Sequence, residues 1–313
     1  MKKRRRLKKE VYYFLGGFVL FIIIIIALVK HINYINSYEY KLGKIGYSEN
    51  EKEILLTLKD KELDKLLDRK YNSKIVSFVK QKYFIFSNLD RYLEYQKENK
   101  SVKIKKIVSL VNVRADYEWY DEDAVKDTDT SLNELMLVNK FYKLNKDYVP
   151  DKITDIKSTY AYADNSTTEE VLEAFKNMWS AAKKDDIALI ITSSYRSYED
   201  QDKVWESYAT KSEEYADSYA ARAGFSEHQT GLALDIVTYN STMNNFDDSD
   251  AAKWLKKNAY KYGFILRYPK DKEDITGYDY EPWHYRYVGK EVAKKIHDEN
   301  ITFDEYYAYY IEK

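Results

Sequence analysis

Nineteen consecutive uncharged residues, Val11 to Val29 (VYYFLGGFVLFIIIIIALV), constrain this chain more than any other feature. About 20 apolar residues cross a bilayer as a helix, so the run predicts a transmembrane helix over 11–29. Lys8, Lys9 and Glu10 precede it and Lys30 follows. Residues 1–10, MKKRRRLKKE, hold seven bases and one acid, a cluster that keeps its side in the cytoplasm and sends the rest of the chain across. Tyr12, Tyr13 and Tyr34 stand where interfacial aromatics are expected. A cleaved signal peptide would have an apolar region of about 7–15 residues and a small-x-small site. Ala27-Leu28-Val29-Lys30-His31 is a poor site of that kind, so an uncleaved single-pass anchor is expected.

The net charge of −1 conceals this asymmetry, because outside the tail 44 basic and 51 acidic residues leave a net of −7. A mildly acidic body is not a nucleic-acid binder by charge. The chain has no cysteine, which excludes a disulfide framework, a cysteine-type zinc finger and a catalytic thiol. Its 33 tyrosines are scattered along the chain and read as compositional bias.

Beyond the anchor, residues 30–102 read as a helical stalk or small module. Ser48-x-x-Glu51 is a capping box ahead of Ile54, Leu55 and Leu58. Further helical patterns follow at Leu63, Leu66, Leu67 and at Ile75, Val76, Phe78, Val79. At Ile104–Val113 (IKKIVSLVNV) the pattern turns β-rich, and residues 103–313 mix strands and helices in an α+β domain. Thr167-x-x-Glu170 is expected to cap a helix with Val171, Leu172, Phe175, Met178 and Trp179 on its buried side. Ile187–Thr192 is expected as a buried strand, Ser197 as a helix cap, and Gly263 as the left-handed end of a helix over about 250–262.

Four histidines limit the possible chemistry: His31, His228, His284 and His297. His31 abuts the apolar run, and His297 lies in an expected exposed terminal helix. His228 opens Ser226-Glu227-His228-Gln229-Thr230-Gly231-Leu232-Ala233-Leu234-Asp235-Ile236. On a strand, Leu232, Leu234 and Ile236 share one face, and Asp235 stands on the other beside Ala233. A carboxylate in an apolar strand needs a partner, either a metal or an ordinary hydrogen bond or ion pair. His284 lies in Glu281-Pro282-Trp283-His284, where a bend at Pro282 would bring Glu281 and His284 to one site. Two histidines and one aspartate make the three-ligand set of a catalytic zinc, with Glu281 available as a carboxylate that does not bind the metal.

Ser226-x-His228-x-x-Gly231-x-Ala233-x-Asp235, followed by Glu281-x-Trp283-His284, resembles the VanY-type D-alanyl-D-alanine carboxypeptidases, which belong to a larger group that includes lysostaphin and the hedgehog signalling domain. The resemblance covers about residues 103–313. It implies a hedgehog/D,D-peptidase-like catalytic domain with a central antiparallel sheet, with Zn²⁺ on His228, Asp235 and His284 and Glu281 as the catalytic base. The implied substrate is a peptidoglycan stem peptide ending in D-alanine, outside the cell and facing the wall. Arg196 would pair with its free carboxylate, Gln201 and Ser226 would add hydrogen bonds, and Trp283 would wall the pocket. A helix-start ion pair of Arg196 with Glu199 or Asp200 is the plainer possibility. Leu137-Val138-Asn139-Lys140 leading to Tyr148-Val149-Pro150 also looks like the family's substrate-recognition segment. An L,D-carboxypeptidase, a cross-link endopeptidase and a non-catalytic wall-binding module remain as alternatives.

Overall fold

The computed structural model describes residues 8–312 except 163, 240 and 242; the first seven residues of the basic tail fall outside it. Contacts divide the chain into two units, Met1–Lys100 and Ser101–Lys313.

In the first unit, α1 (Lys9–Asn36) is one uninterrupted helix of 28 residues, roughly 42 Å at 1.5 Å per residue. It continues seven residues past the uncharged run. By length and composition it is apolar enough to cross a membrane, a test that a signal sequence also passes. Five short helices follow: α2 (Tyr38–Ile45), α3 (Glu49–Leu55), α4 (Asp60–Leu67), α5 (Ser73–Val79) and α6 (Leu89–Glu98). They enclose Leu42, Leu55, Leu63, Leu66, Ile75 and Leu89. The expected cap opens α3, with Glu51 accepting the Ser48 N–H at 2.9 Å.

The second unit begins with α7 (Ile104–Asn112), which corrects the β-rich reading of this stretch. Its β-branched residues favour strands individually. However, Ile104, Ile107, Val108 and Val111 recur at helical spacing, and the last three are buried. Two small pairs follow, β1 (Lys126–Asp127) with β2 (Tyr142–Lys143) and β3 (Ile153–Asp155) with β4 (Ser166–Thr168). Next comes α8 (Glu169–Lys184), whose N-cap is Thr168 rather than Thr167. The fully buried Thr167 hydroxyl instead donates to the Gly231 carbonyl at 2.7 Å, which also accepts the Thr168 N–H at 3.5 Å.

The remaining elements are β5 (Ile190–Ser193), α9 (Tyr198–Ala209), α10 (Glu213–Tyr219), β6 (Ala233–Val237), α11 (Asp250–Asn258), β7 (Phe264–Leu266), α12 (Glu273–Thr276), β8 (His284–Tyr287), α13 (Lys290–Glu299) and α14 (Phe303–Tyr310). As expected, Ser197 caps α9, accepting from the Asp200 N–H at 3.1 Å. Gly263, at φ 92°, closes the turn after α11, where a Cβ would stand 2.6 Å from the Tyr287 ring. Strands β5, β6, β8 and β7 lie side by side in that order, all antiparallel, forming the expected central sheet. Phe175 and Met178 of α8 join Leu234, Ile236, Phe264 and Tyr285 of the sheet in the largest core cluster.

Glu305 locks α14 in place. It accepts from the Ser109 hydroxyl (2.7 Å), the Thr302 N–H (2.9 Å) and the Lys272 ammonium (3.0 Å). Burial alone would raise its pKa, but Lys272, Ser109 and Thr302 together hold the carboxyl below the usual 4.5. Its contribution is therefore complete above that value and is lost as pH falls through the folded pKa. Glu305→Gln should cost about 1–3 kcal/mol at pH 7. Denaturant unfolding of both forms at pH 7 and at pH 3 checks this, since the gap should shrink in acid.

Candidate active site

Strands β6 and β8 are antiparallel neighbours, and their register places Asp235 directly opposite His284. Alternation along each strand sends Leu234, Ile236 and Tyr285 into the core and Asp235 and His284 to the other face. The third donor comes from the single turn of 3₁₀ helix Glu227–Thr230. Ser226 starts that turn, its hydroxyl accepting from the His228 N–H at 3.4 Å. Gly231, at φ 66°, ends it, and a Cβ there would sit 3.1–3.2 Å from Ile153, Pro150 and Thr168. The motif spacing is thus one tight turn, a left-handed reversal that favours glycine, and entry into β6.

His228 Nδ1 lies 2.7 Å from the Ser194 carbonyl oxygen. A carbonyl can only accept, so Nδ1 carries the proton and Nε2 presents a lone pair. That lone pair stands 3.5 Å from Asp235 Oδ2. Asp235 Oδ1 lies 3.2 Å from His284 Nδ1 yet accepts no hydrogen bond. All three residues are buried, and their donor atoms fall within 4.8 Å of one another. The free nitrogen of His228, an Asp235 oxygen that accepts no hydrogen bond and the His284 imidazole thus converge on one point. A divalent cation satisfies that arrangement, and three protein ligands leave a fourth position open. The donor set fits zinc. Of the other histidines, His31 sits on α1 and the half-exposed His297 on α13.

The chain bends at Pro282–Trp283, where the His284 N–H donates to the Glu281 carbonyl at 3.2 Å. Glu281 Oε2 consequently reaches 3.5 Å from His284 Nδ1 despite the spacing of three. Burial pushes the Glu281 carboxyl up to about 7; His284 and Arg196 pull it down, and Asp235 and Asp279 push it further up. Burial also opposes ionisation of Asp235, but His228 and His284 hold its carboxyl well below the usual range. One carboxylate is thus fixed as an anion and its neighbour is poised to exchange a proton near neutrality.

Both residues line a cavity of about 420 Å³ together with His228, His284, Arg196, Gln201, Ser226 and Trp283. The Arg196 guanidinium donates to Gln201 Oε1 (2.7 Å) and Ser193 Oγ (2.8 Å), not to Glu199 or Asp200. The Gln201 amide is occupied at both ends, since its nitrogen donates to the Ala221 carbonyl at 2.7 Å. Leu137–Lys140 and Tyr148–Pro150, expected near the substrate, do not line this cavity. Leu137–Lys140 is buried, with Asn139 bonded to Asp304 and the Lys140 ammonium bonded to the Asp217 carbonyl among the rings of Trp119, Tyr120 and Tyr278. A larger cleft of about 850 Å³, bordered by Tyr120, Tyr198, Arg222 and Phe225, holds none of the metal donors.

Sequence reasoning missed two neighbours of His284. Tyr268 packs its ring against the imidazole, with centroids 4.9 Å apart. Glu227 places Oε2 at 3.5 Å from His284 Nε2. Its position directly before His228 was the available signal.

Residues 164–290 match the VanY family, described as D-alanyl-D-alanine carboxypeptidase. The Bacillus subtilis protein YodJ is 44% identical over 186 residues, which make up 56% of this chain and 67% of YodJ. The bifunctional D-Ala-D-Ala dipeptidase and D-Ala-D-Ala carboxypeptidase VanXYC of Enterococcus gallinarum is 35% identical, over 57% of this chain and 95% of its own length. Among solved structures, the LdcB LD-carboxypeptidase superimposes with a TM-score of 0.57 at 40% identity, covering 61% of this chain and 94% of LdcB. The chain belongs to the VanY family of D-alanyl-D-alanine carboxypeptidases.

Proposed function

We propose that this chain is a zinc-dependent carboxypeptidase that removes the terminal D-alanine from peptidoglycan stem peptides. The observation that carries this reading is the meeting of His228, Asp235 and His284 beside Glu281, in a cavity that also holds the Arg196 guanidinium. Zinc held by His228, Asp235 and His284 would supply a Lewis acid for the scissile carbonyl and for a water. Glu281 takes a proton from the attacking water as its oxygen bonds to the carbonyl carbon. It returns that proton to the amine nitrogen as the C–N bond breaks. Arg196 uses two of its five N–H donors on Gln201 and Ser193, which aim it and leave donors for a substrate carboxylate. Ser226 holds the His228 turn and faces the same cavity, and Trp283 forms part of its wall.

In this reading residues 103–313 are the catalytic domain, residues 30–102 a spacer, and α1 a single-pass anchor with its N-terminal end in the cytoplasm and the active site toward the wall. A second reading, cleavage of an L,D bond one residue further in, is favoured by the 40% identity to LdcB. Mass spectrometry of defined penta- and tetrapeptide stems incubated with the zinc-loaded chain separates the two. Loss of one D-alanine from the pentapeptide alone supports the first, trimming of the tetrapeptide alone supports the second, and cleavage of neither sinks both.

Arg196→Ala should lower kcat/KM on free-carboxylate peptides by about 10–100-fold, the equivalent of a lost charge-assisted hydrogen bond. Amidated peptides should lose far less. Equal losses on both would remove the carboxylate role.

A further inference from the structure

The geometry points to Glu227 as the residue that positions His284 for the metal, acting from behind the site. This inference rests on the zinc reading of the same centre and extends it to a residue outside the three donors. Glu227 is fully buried and its two carboxylate oxygens are used differently. Oε1 accepts from Arg267 Nε at 2.7 Å and from Arg286 at 2.9 Å. Oε2 has no hydrogen-bond partner and faces His284 Nε2 at 3.5 Å, and that nitrogen is itself unpartnered.

The cause of this arrangement is strand alternation. Arg286 stands two residues after His284 on β8 and therefore on the same face, opposite the small side chain of Ala233. Arg267 brings a second guanidinium, whose other two nitrogens are bound by Asp304 at 2.5 and 3.0 Å. Two cations and two carboxylates form a buried chain of ion pairs that fixes the Glu227 carboxylate. Oε2 can take only a hydrogen, and the hydrogen in reach is the one on His284 Nε2. With the proton held on Nε2, the Nδ1 lone pair is turned toward Asp235 and His228. A ligating imidazole whose other nitrogen donates to a carboxylate is oriented and made more basic, and losing such a partner typically lowers metal affinity 10–100-fold.

Removing Glu227 also disturbs this chain of ion pairs, so the control is Asp304→Asn, which weakens the same ion cluster through Arg267 without facing His284. Zinc affinity of the full-length chain in detergent is measured by competition with a chromophoric chelator. Glu227→Gln should lose about 10–100-fold and Asp304→Asn less than about threefold. Equal losses in the two variants, or none in Glu227→Gln, would overturn the inference and leave the zinc reading standing. Absence of zinc binding by the unaltered chain would remove both. The unaltered chain also gives a readout that needs no variant. In proton–nitrogen spectra of the zinc-loaded protein, the His284 Nε2 proton should be shifted downfield and protected from exchange. A freely exchanging proton there would overturn the inference even if the variants do not fold.

Discussion

Glu281→Gln is expected to reduce hydrolysis of a D-alanine-terminated peptide by roughly 10²–10⁴-fold, the range over which a positioned general base contributes. The replacement is isosteric and Glu281 is partly buried in the cavity wall, so the cavity keeps its shape and the three metal donors are untouched. What disappears is the ability to accept a proton. Zinc content should therefore stay at one per chain while released D-alanine, followed by mass spectrometry, falls close to background. A variant that binds zinc and turns over normally would take the base role away from Glu281. A variant that loses zinc would instead place Glu281 among the ligands, contrary to the grouping of His228, Asp235 and His284 as the three converging donors.

Asp235→Asn addresses the metal directly. The substitution keeps the shape and removes the one formal charge among the three donors. Zinc affinity should drop by more than the 10–100-fold typical of an outer partner. Heat gives a readout independent of turnover. At zinc 100 times its dissociation constant, the unaltered chain gains about 2.7 kcal/mol. For a unit of some 200 residues that is on the order of 5–10 °C in melting temperature. The variant should gain almost nothing at the same zinc concentration. Equal thermal shifts in both proteins would mean that the cation binds elsewhere.

How much was legible beforehand differed with the range of the interaction. The alternation of Leu232, Leu234 and Ile236 with Ala233 and Asp235 is a local pattern, and it correctly gave both the strand and the face on which the carboxylate stands. The bend at Pro282 was likewise visible, because proline cannot continue a ladder. Ile104–Val113 was misread because individual β-preference outweighed a helical period that only becomes decisive once one face is buried. The Glu227 cluster was invisible for a different reason. Glu227, Arg267, Arg286 and Asp304 come from four separate segments, and charges of that kind normally read as solvated surface. Gln201 lines the cavity, and its partners Arg196 and Ala221, 5 and 20 residues away in sequence, meet it only through the fold.

The register of β6 against β8 has a consequence for how such a chain matures. Asp235 and His284 are a directly opposed pair, and a slip of one residue between the strands would turn one of them to the far face of the sheet. No misaligned form can then assemble the trio of donors, however native its secondary structure. Metal capture would therefore report on strand pairing, since the proposed hydrolytic site exists only once the sheet has closed in this register.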